Sequence, residues 1–234
     1  MGQDFRCGVL MGANVATEVA RKKLCESTLA CDFNTSPDTR NMNEETRQIF
    51  DAPTFCVQHC KDVAGAGVSG ALKNILALGA GFVDGLDCGE NTKAALLRTG
   101  LLEIMTFAEH FFPSVKRSTF WQSCGIADVI TTCYGGRHRK CAQVYARQRR
   151  KAARSQQSDA AVDCCKQWDD IEADLLNGQK LQGTLTTKDM YQVLRVGKMT
   201  EDFPVFTAVY EIAFEGRPVE DISNAIGTSS RKRK

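Results

Sequence analysis

Apolar residues recur at helical spacing over most of this chain and at strand spacing only near its start. Leu97, Leu101, Ile104, Met105, Ala108, Phe111 and Phe112 fall on one helical face, with Asn91 or Thr92 placed to cap the start and Pro113 to end it. The preceding run, Val68 to Leu86, sets Gly70, Gly79, Gly81 and Gly85 among Ala, Leu and Val. Such a helix has poor intrinsic propensity and is viable when buried, where small residues let backbones approach. Gly79 and Gly81 therefore read as a close-packing pair. Helical periodicity returns at Trp168–Leu176, Thr187–Leu194 and Phe203–Phe214. Cys7–Asn14 and Phe55–Val57 predict short strands, and between them 31–48 is a polar loop entering a short helix near Glu44–Phe50. Region 146–168 is polar and repetitive, as an insertion or an exposed helix extension would be.

Composition changes this picture little. The chain has 234 residues, 43% of them apolar, and a net charge of +2, which gives no global attraction to nucleic acid or membrane. Charge is uneven, with eight Lys/Arg and no acid from Arg137 to Arg154 and a basic end, Arg231-Lys-Arg-Lys234. No uncharged apolar run approaches a membrane span. The eleven cysteines follow no secretory signal, so reduced thiols in the cytoplasm are expected. Cys56-x-x-His59-Cys60 lacks a second ligand pair at partner spacing, and no metal is expected.

The segment Ala127 to Lys140 holds the most chemistry. Asp128 and Thr132 lie four apart and share a face if helical. Gly135 and Gly136 are expected to turn the backbone and expose its N–H groups. Arg137, Arg139 and Lys140 then crowd a helix start, where cations are disfavoured. A bound phosphate would explain them, since free N–H groups and a guanidinium both suit an anion; a solvated basic helix start is the alternative. Lys73-Asn74 interrupts an apolar helix, so the lysine either snorkels or is held in a polar pocket, where it could exchange protons with a substrate. Gly65-Ala-Gly-Val-Ser-Gly70 satisfies a dinucleotide pattern, but polar Gln58–Asp62 precedes it where a buried strand is required. It reads instead as a glycine-rich loop entering a buried helix. Asn177-Gly-Gln-Lys-Leu-Gln-Gly183 is a turn that could contact a diphosphate.

Gly70–Ile75, Gly79–Phe82, Asn91–Ala94, Ser123–Gly125, Ala127–Arg137 and Asn177–Gly183 occur in the order and approximate spacing of NAD-dependent glycerol-3-phosphate dehydrogenase. Val9–Asn14 and Phe203–Tyr210 also fit, and the resemblance runs from about residue 8 to 222. It implies that Lys73 is the catalytic lysine, protonating the carbonyl oxygen of dihydroxyacetone phosphate as hydride reaches its carbon and giving glycerol 3-phosphate. It implies that Asn74, Asp128 and Thr132 position that lysine and the substrate. Arg137 would hold the substrate phosphate and the NAD cofactor, with Lys180 and Gln182 closing over the latter. His138 stands where the family usually has Asn; imidazole donates to phosphate better when protonated, so tighter binding at lower pH is expected. A homodimer in the cytoplasm, with no membrane or nucleic-acid partner, completes what the resemblance implies.

The fold expected is mainly α: an all-α catalytic and dimerisation domain over 63–234, with an insertion near 147–167, preceded over 1–62 by a truncated α/β (Rossmann) remnant. The family's Gly-x-Gly-x-x-Gly and a second active-site lysine have no counterpart in these residues. Strands without their parallel neighbours would leave an edge open, so 8–60 is expected to be poorly ordered or rescued by self-association. Two alternatives stand beside the dehydrogenase. One is a non-catalytic fragment or splice form keeping the phosphate pocket and dimer surface. The other is a basic nucleic-acid-binding module, which lacks interleaved aromatics beyond Tyr145.

Overall fold

The computed structural model describes residues 7–34, 37–155 and 163–232. The described residues form three strands and ten α-helices, in keeping with the mainly α fold expected, with a small piece of α/β structure. They separate into two compact units, Met1–Ala71 with Ile104–Asp128, and Leu72–Glu103 with Val129–Lys234.

In the first unit, β1 (Val9–Met11) pairs antiparallel with β2 (Cys25–Ala30), and β2 pairs parallel with β3 (Phe55–Cys60). Helices α1 (Ala16–Ala20) and α2 (Met42–Phe50) make the connections. Strand β2 is absent from the sequence-based expectation because Ser27 and Thr28 disguise it. Both are fully buried. Asn14 Nδ2 donates to Ser27 Oγ at 2.7 Å, and the Cys124 N–H to Thr28 Oγ1 at 3.2 Å, so the polar atoms are satisfied. Leu29, Cys31 and Val57 form one small core with Leu10, Phe33 and Phe55, and Ala30, Ala66 and Cys124 another with Val9, Met11, Cys60 and Val63.

Helix α3 (Val63–Gly85) begins before the dinucleotide-like pattern and contains all of it, so Gly65, Gly67 and Gly70 are helical and form no loop. Asp62 stops the chain from starting the helix earlier. Its Oδ1 accepts from the Gly65 N–H at 2.8 Å, while Oδ2 accepts from the Lys116 N–H and Thr119 Oγ1 at 2.8 and 2.7 Å. By length and mean hydropathy, 1.4, α3 could cross a membrane, but 67% of its apolar window is buried within the protein. Helix α4 (Glu90–Phe111) starts one residue before the expected caps. Gly89 at φ 86° makes the turn, and Thr92 Oγ1 instead donates back to the Cys88 carbonyl at 3.0 Å.

The second unit adds α5 (Asp128–Gly135, its first residue in the other unit), α6 (Arg137–Arg154), α7 (Cys164–Leu176), α8 (Gln182–Val196), α9 (Pro204–Phe214) and α10 (Ile222–Lys232). The polar region 146–168 divides between the end of α6 and the start of α7, and its middle, 156–162, lies outside the described residues. So does the tail beyond Lys232. The α3–α6 contact explains two glycines. A Cβ on Gly81 would lie 2.5 Å from Ala142 Cβ and strike the Arg139 carbonyl, and one on Gly85 would lie 2.6 Å from Ala146 Cβ. The spacing of four puts both on one face, and that face lies directly on α6. Tyr145 and Trp168 stack with centroids 4.5 Å apart, and each donates to a carbonyl of α9, Ile212 at 2.9 Å and Ala213 at 3.0 Å.

Candidate functional site

Helix α6 opens without a side-chain cap. Its N-cap is Gly136, with no capping side chain and no acidic residue in the first turn. The first N–H of the helix to find a partner is that of Lys140, which donates to the Gly136 carbonyl at 3.2 Å. The N–H groups of Arg137, His138 and Arg139 stand ahead of that bond, in the first turn where a helix has no partner of its own to offer. Three donors at the positive end of a helix, beside a guanidinium, suit an anion. The glycine pair works differently from the expectation. Gly136 has φ −66° and ψ 152°, which any residue adopts. What requires glycine is space, since a Cβ there would run into the Thr132 carbonyl oxygen closing α5.

The expected cations separate by role. Arg137 is exposed and, among the described residues, has no ion-pair partner. Arg139 is committed to structure, with Nη1 on Asp84 Oδ2 at 3.1 Å and Gln143 Oε1 at 3.0 Å. Lys140 is exposed.

His138 is buried, 6% exposed, and its Nε2 accepts from the Gly183 N–H at 3.0 Å. The neutral ring must then carry its proton on Nδ1. Burial above all, and then the charges of Arg137 and Lys73, push the imidazole down to about 4. This corrects the expectation of stronger phosphate binding through a protonated His138. Protonation is opposed near neutrality and would sever the link to Gly183.

Lys73 and Asn74 project from α3 in the same unit, both half-buried. A Cβ on Gly183 would lie 2.7 Å from His138 Cδ2 and 3.2 Å from Asn74 Cβ. Asn74, His138 and Gly183 thus meet from three helices, α3, α6 and α8, and the charges of Lys73 and Arg137 bear on His138. Thr132, half-buried, sits one turn before Gly136 on α5. Asp128, buried at 3% exposure, is the first residue of that helix and belongs to the first unit.

Lys180 is placed elsewhere. Its ammonium lies 2.5 Å from Asp169 Oδ1 and 2.9 Å from Glu172 Oε2, both on α7, and these contacts raise its pKa, Asp169 first. Gln182 is exposed as the first residue of α8. The donors around it are taken: Leu181 N–H by Glu172 Oε1 at 3.0 Å, Gly183 N–H by His138, and Thr184 N–H by the Leu181 carbonyl at 3.2 Å. Of the two neighbouring helix starts, that of α6 is open to an anion and that of α8 is largely closed. Glu172 escaped the sequence reading because nothing marks one acid among the several of α7. The left-handed turn after it, Asn177 at φ 51° and Gly178 at φ 79°, was legible as a glycine-bearing stop.

Residues 62–224 match the family model of the NAD-dependent glycerol-3-phosphate dehydrogenase C-terminus. The chain is 44% identical over 216 residues to a glycerol-3-phosphate dehydrogenase, NAD(+) type, of Schizosaccharomyces pombe, covering 92% of this chain and 51% of that protein. It is 44% identical over 212 residues to the cytoplasmic NAD(+) enzyme of Rattus norvegicus, covering 90% and 54%. The solved structure of the Saccharomyces cerevisiae glycerol-3-phosphate dehydrogenase superposes with a TM-score of 0.81 at 38% identity, over 95% of this chain and 60% of that one. The chain therefore spans about half the length of the curated relatives it matches. With the six ordered motifs, the open start of α6 and the matched 62–224 segment in agreement, this chain belongs to the NAD-dependent glycerol-3-phosphate dehydrogenase family.

Proposed function

We propose that this chain binds the phosphate of dihydroxyacetone phosphate or glycerol 3-phosphate at the start of α6 and supplies proton transfer to NAD-linked interconversion of the two. The observation that carries this is the uncapped first turn of α6, whose three leading N–H groups precede its first bond, beside the exposed Arg137 guanidinium. Charge-assisted hydrogen bonds to a phosphate are about twice as strong as neutral ones. Lys73, which shares an electrostatic environment with Arg137 at His138, stands beside that anchor. Its role is to hold a proton at the carbonyl oxygen and take it back in the reverse direction. Asn74, Asp128 and Thr132 orient the lysine and the substrate oxygens.

NADH supplies the hydride when bound. Arg137, Lys180 and Gln182 would meet its diphosphate, and Lys180 must leave Asp169 to do so. Gly65, Gly67 and Gly70 contribute no cradle, because their N–H groups lie within α3. That observation favours a second reading, in which the chain recognises the phosphate without hydride transfer. We further propose a homodimer in the cytoplasm, without membrane or nucleic-acid partners.

Measuring NADH oxidation with dihydroxyacetone phosphate, alongside NADH fluorescence and calorimetric binding of glycerol 3-phosphate, separates these readings. Turnover that disappears in Lys73→Ala is expected. Phosphate-ester binding without NADH binding would select the second reading, and absence of both would remove the phosphate site itself.

A further inference from the structure

Asp84 lies near the end of α3, away from the residues so far given a role in binding. Its Oδ2 accepts from Lys93 Nζ at 2.9 Å and from Arg139 Nη1 at 3.1 Å. All three side chains are largely buried, at 15%, 6% and 18% exposure. One carboxylate thus pairs with two cations that each occupy the first turn of a helix, Lys93 in α4 and Arg139 in α6, where the helix field opposes positive charge. Burying this group of charges is costly, and it gains little stability over an apolar cluster of the same size. Its retention needs a different explanation.

Geometry supplies one. Lys93 also sets its ammonium over the ring of Tyr134, 4.2 Å from the centroid. Tyr134 is the last side chain before Gly135-Gly136-Arg137, and Arg139 is the second residue after Arg137. Asp84 therefore reaches both flanks of that turn, the α6 side directly through Arg139 and the α5 side through Lys93 and Tyr134. It can do so because Gly81, one turn before it, and Gly85, next to it, bring α3 and α6 to close contact. Tyr134 is 49% exposed, so burial of its ring does not fix it there, and the cation beneath it does.

We infer that Asp84 is a positioning residue for phosphate recognition, holding the Gly135–Arg137 turn from both sides so that Arg137 and the free N–H groups of α6 meet the anion together. This rests on the phosphate site proposed above. A site displaced by about 1 Å loses much of its binding or rate, so the effect should appear in ligand affinity well before it appears in folding.

The test is calorimetric binding of glycerol 3-phosphate, with inorganic phosphate as a second probe, to the 234-residue chain and its variants. Asp84→Asn is expected to weaken binding about tenfold, and Tyr134→Leu about threefold, while Tyr134→Phe, which keeps the ring, binds as the parent does. In an Arg137→Ala background Asp84→Asn should have little further effect, since the side chain it positions is gone. A purely structural role would lower the melting temperature with parental affinity, or give additive losses, and either result overturns the proposal. Should Asp84→Asn not fold, the Tyr134 pair decides, and equal binding by Tyr134→Leu and Tyr134→Phe overturns it. Failure of the parent chain to bind either probe would instead refute the phosphate site.

Discussion

The main-chain N–H of Gly183 donates to Nε2 of His138 across 3.0 Å, joining the first turns of α8 and α6 through a buried imidazole. An imidazole that accepts a hydrogen bond in a buried position is neutral, and this sets how the chain responds to acid.

The folded-state pKa of His138 lies at about 4, below the usual 6.5. Between these values the unfolded chain takes up a proton that the folded chain refuses, so stability falls as pH drops from about 6.5 towards 4 and loses nothing more from this group below that. The shift corresponds to roughly 3 kcal/mol. Urea unfolding at pH 7.5 and 4.5 should show a smaller difference in His138→Asn than in the parent chain. Equal pH dependence in the two would contradict the neutral, buried histidine.

Arg137→Ala should leave folding intact, because the side chain is exposed and unpaired among the described residues. It should weaken glycerol 3-phosphate binding about 10- to 100-fold, the equivalent of a charged hydrogen bond. Parental binding should weaken with salt and the residual binding of the variant less so. Calorimetry at two ionic strengths measures both.

Glu103 is fully buried and accepts from the N–H groups of Val205 and Phe206, each at 3.1 Å, and from Ser229 Oγ at 2.7 Å. It caps α9 from α4, in place of a local cap that Pro204 and Phe203 do not provide. Glu103→Ala would orphan three donors and open a cavity, so a loss of about 3 kcal/mol or more is expected in denaturant unfolding. A loss below about 1 kcal/mol would mean that water replaces the carboxylate.

Two glycines of one helix should respond in opposite directions. Gly81→Ala would force a methyl against the Arg139 carbonyl and Ala142, costing about 1–3 kcal/mol by overpacking. Gly67→Ala meets nothing within 4 Å and should stabilise by about 0.5–1 kcal/mol through helix propensity. Melting temperatures of the two variants against the parent check the signs.

The helices were legible because their apolar residues repeat at 3.6, and α3, α4, α7, α8 and α9 lie close to where that periodicity puts them. Strand β2 was not legible. Its buried positions include Ser27 and Thr28, on opposite faces of the strand, whose burial depends on partners at Asn14 and Cys124 that no local pattern reveals. The Gly65–Gly70 pattern misled for a related reason, since three glycines are compatible with a loop or with a tightly packed helix, and Asp62 decides for the helix.

For the site, the sequence by itself determined the chemical inventory: a lysine in an apolar helix, a carboxylate and hydroxyl one turn apart, and cations at a helix start beside two glycines. Motif order alone also carried the family. Tertiary structure decided which of those groups remain available. Arg137 and Arg139 are two residues apart and chemically identical, yet one is turned to Asp84 and the other is left for an anion. Lys180 is held by Asp169 and Glu172, and His138 is made an acceptor by Gly183. Composition gives the charges, but availability depends on which neighbours three-dimensional packing brings within hydrogen-bonding distance, and those neighbours here lie from 8 to 55 residues away along the chain.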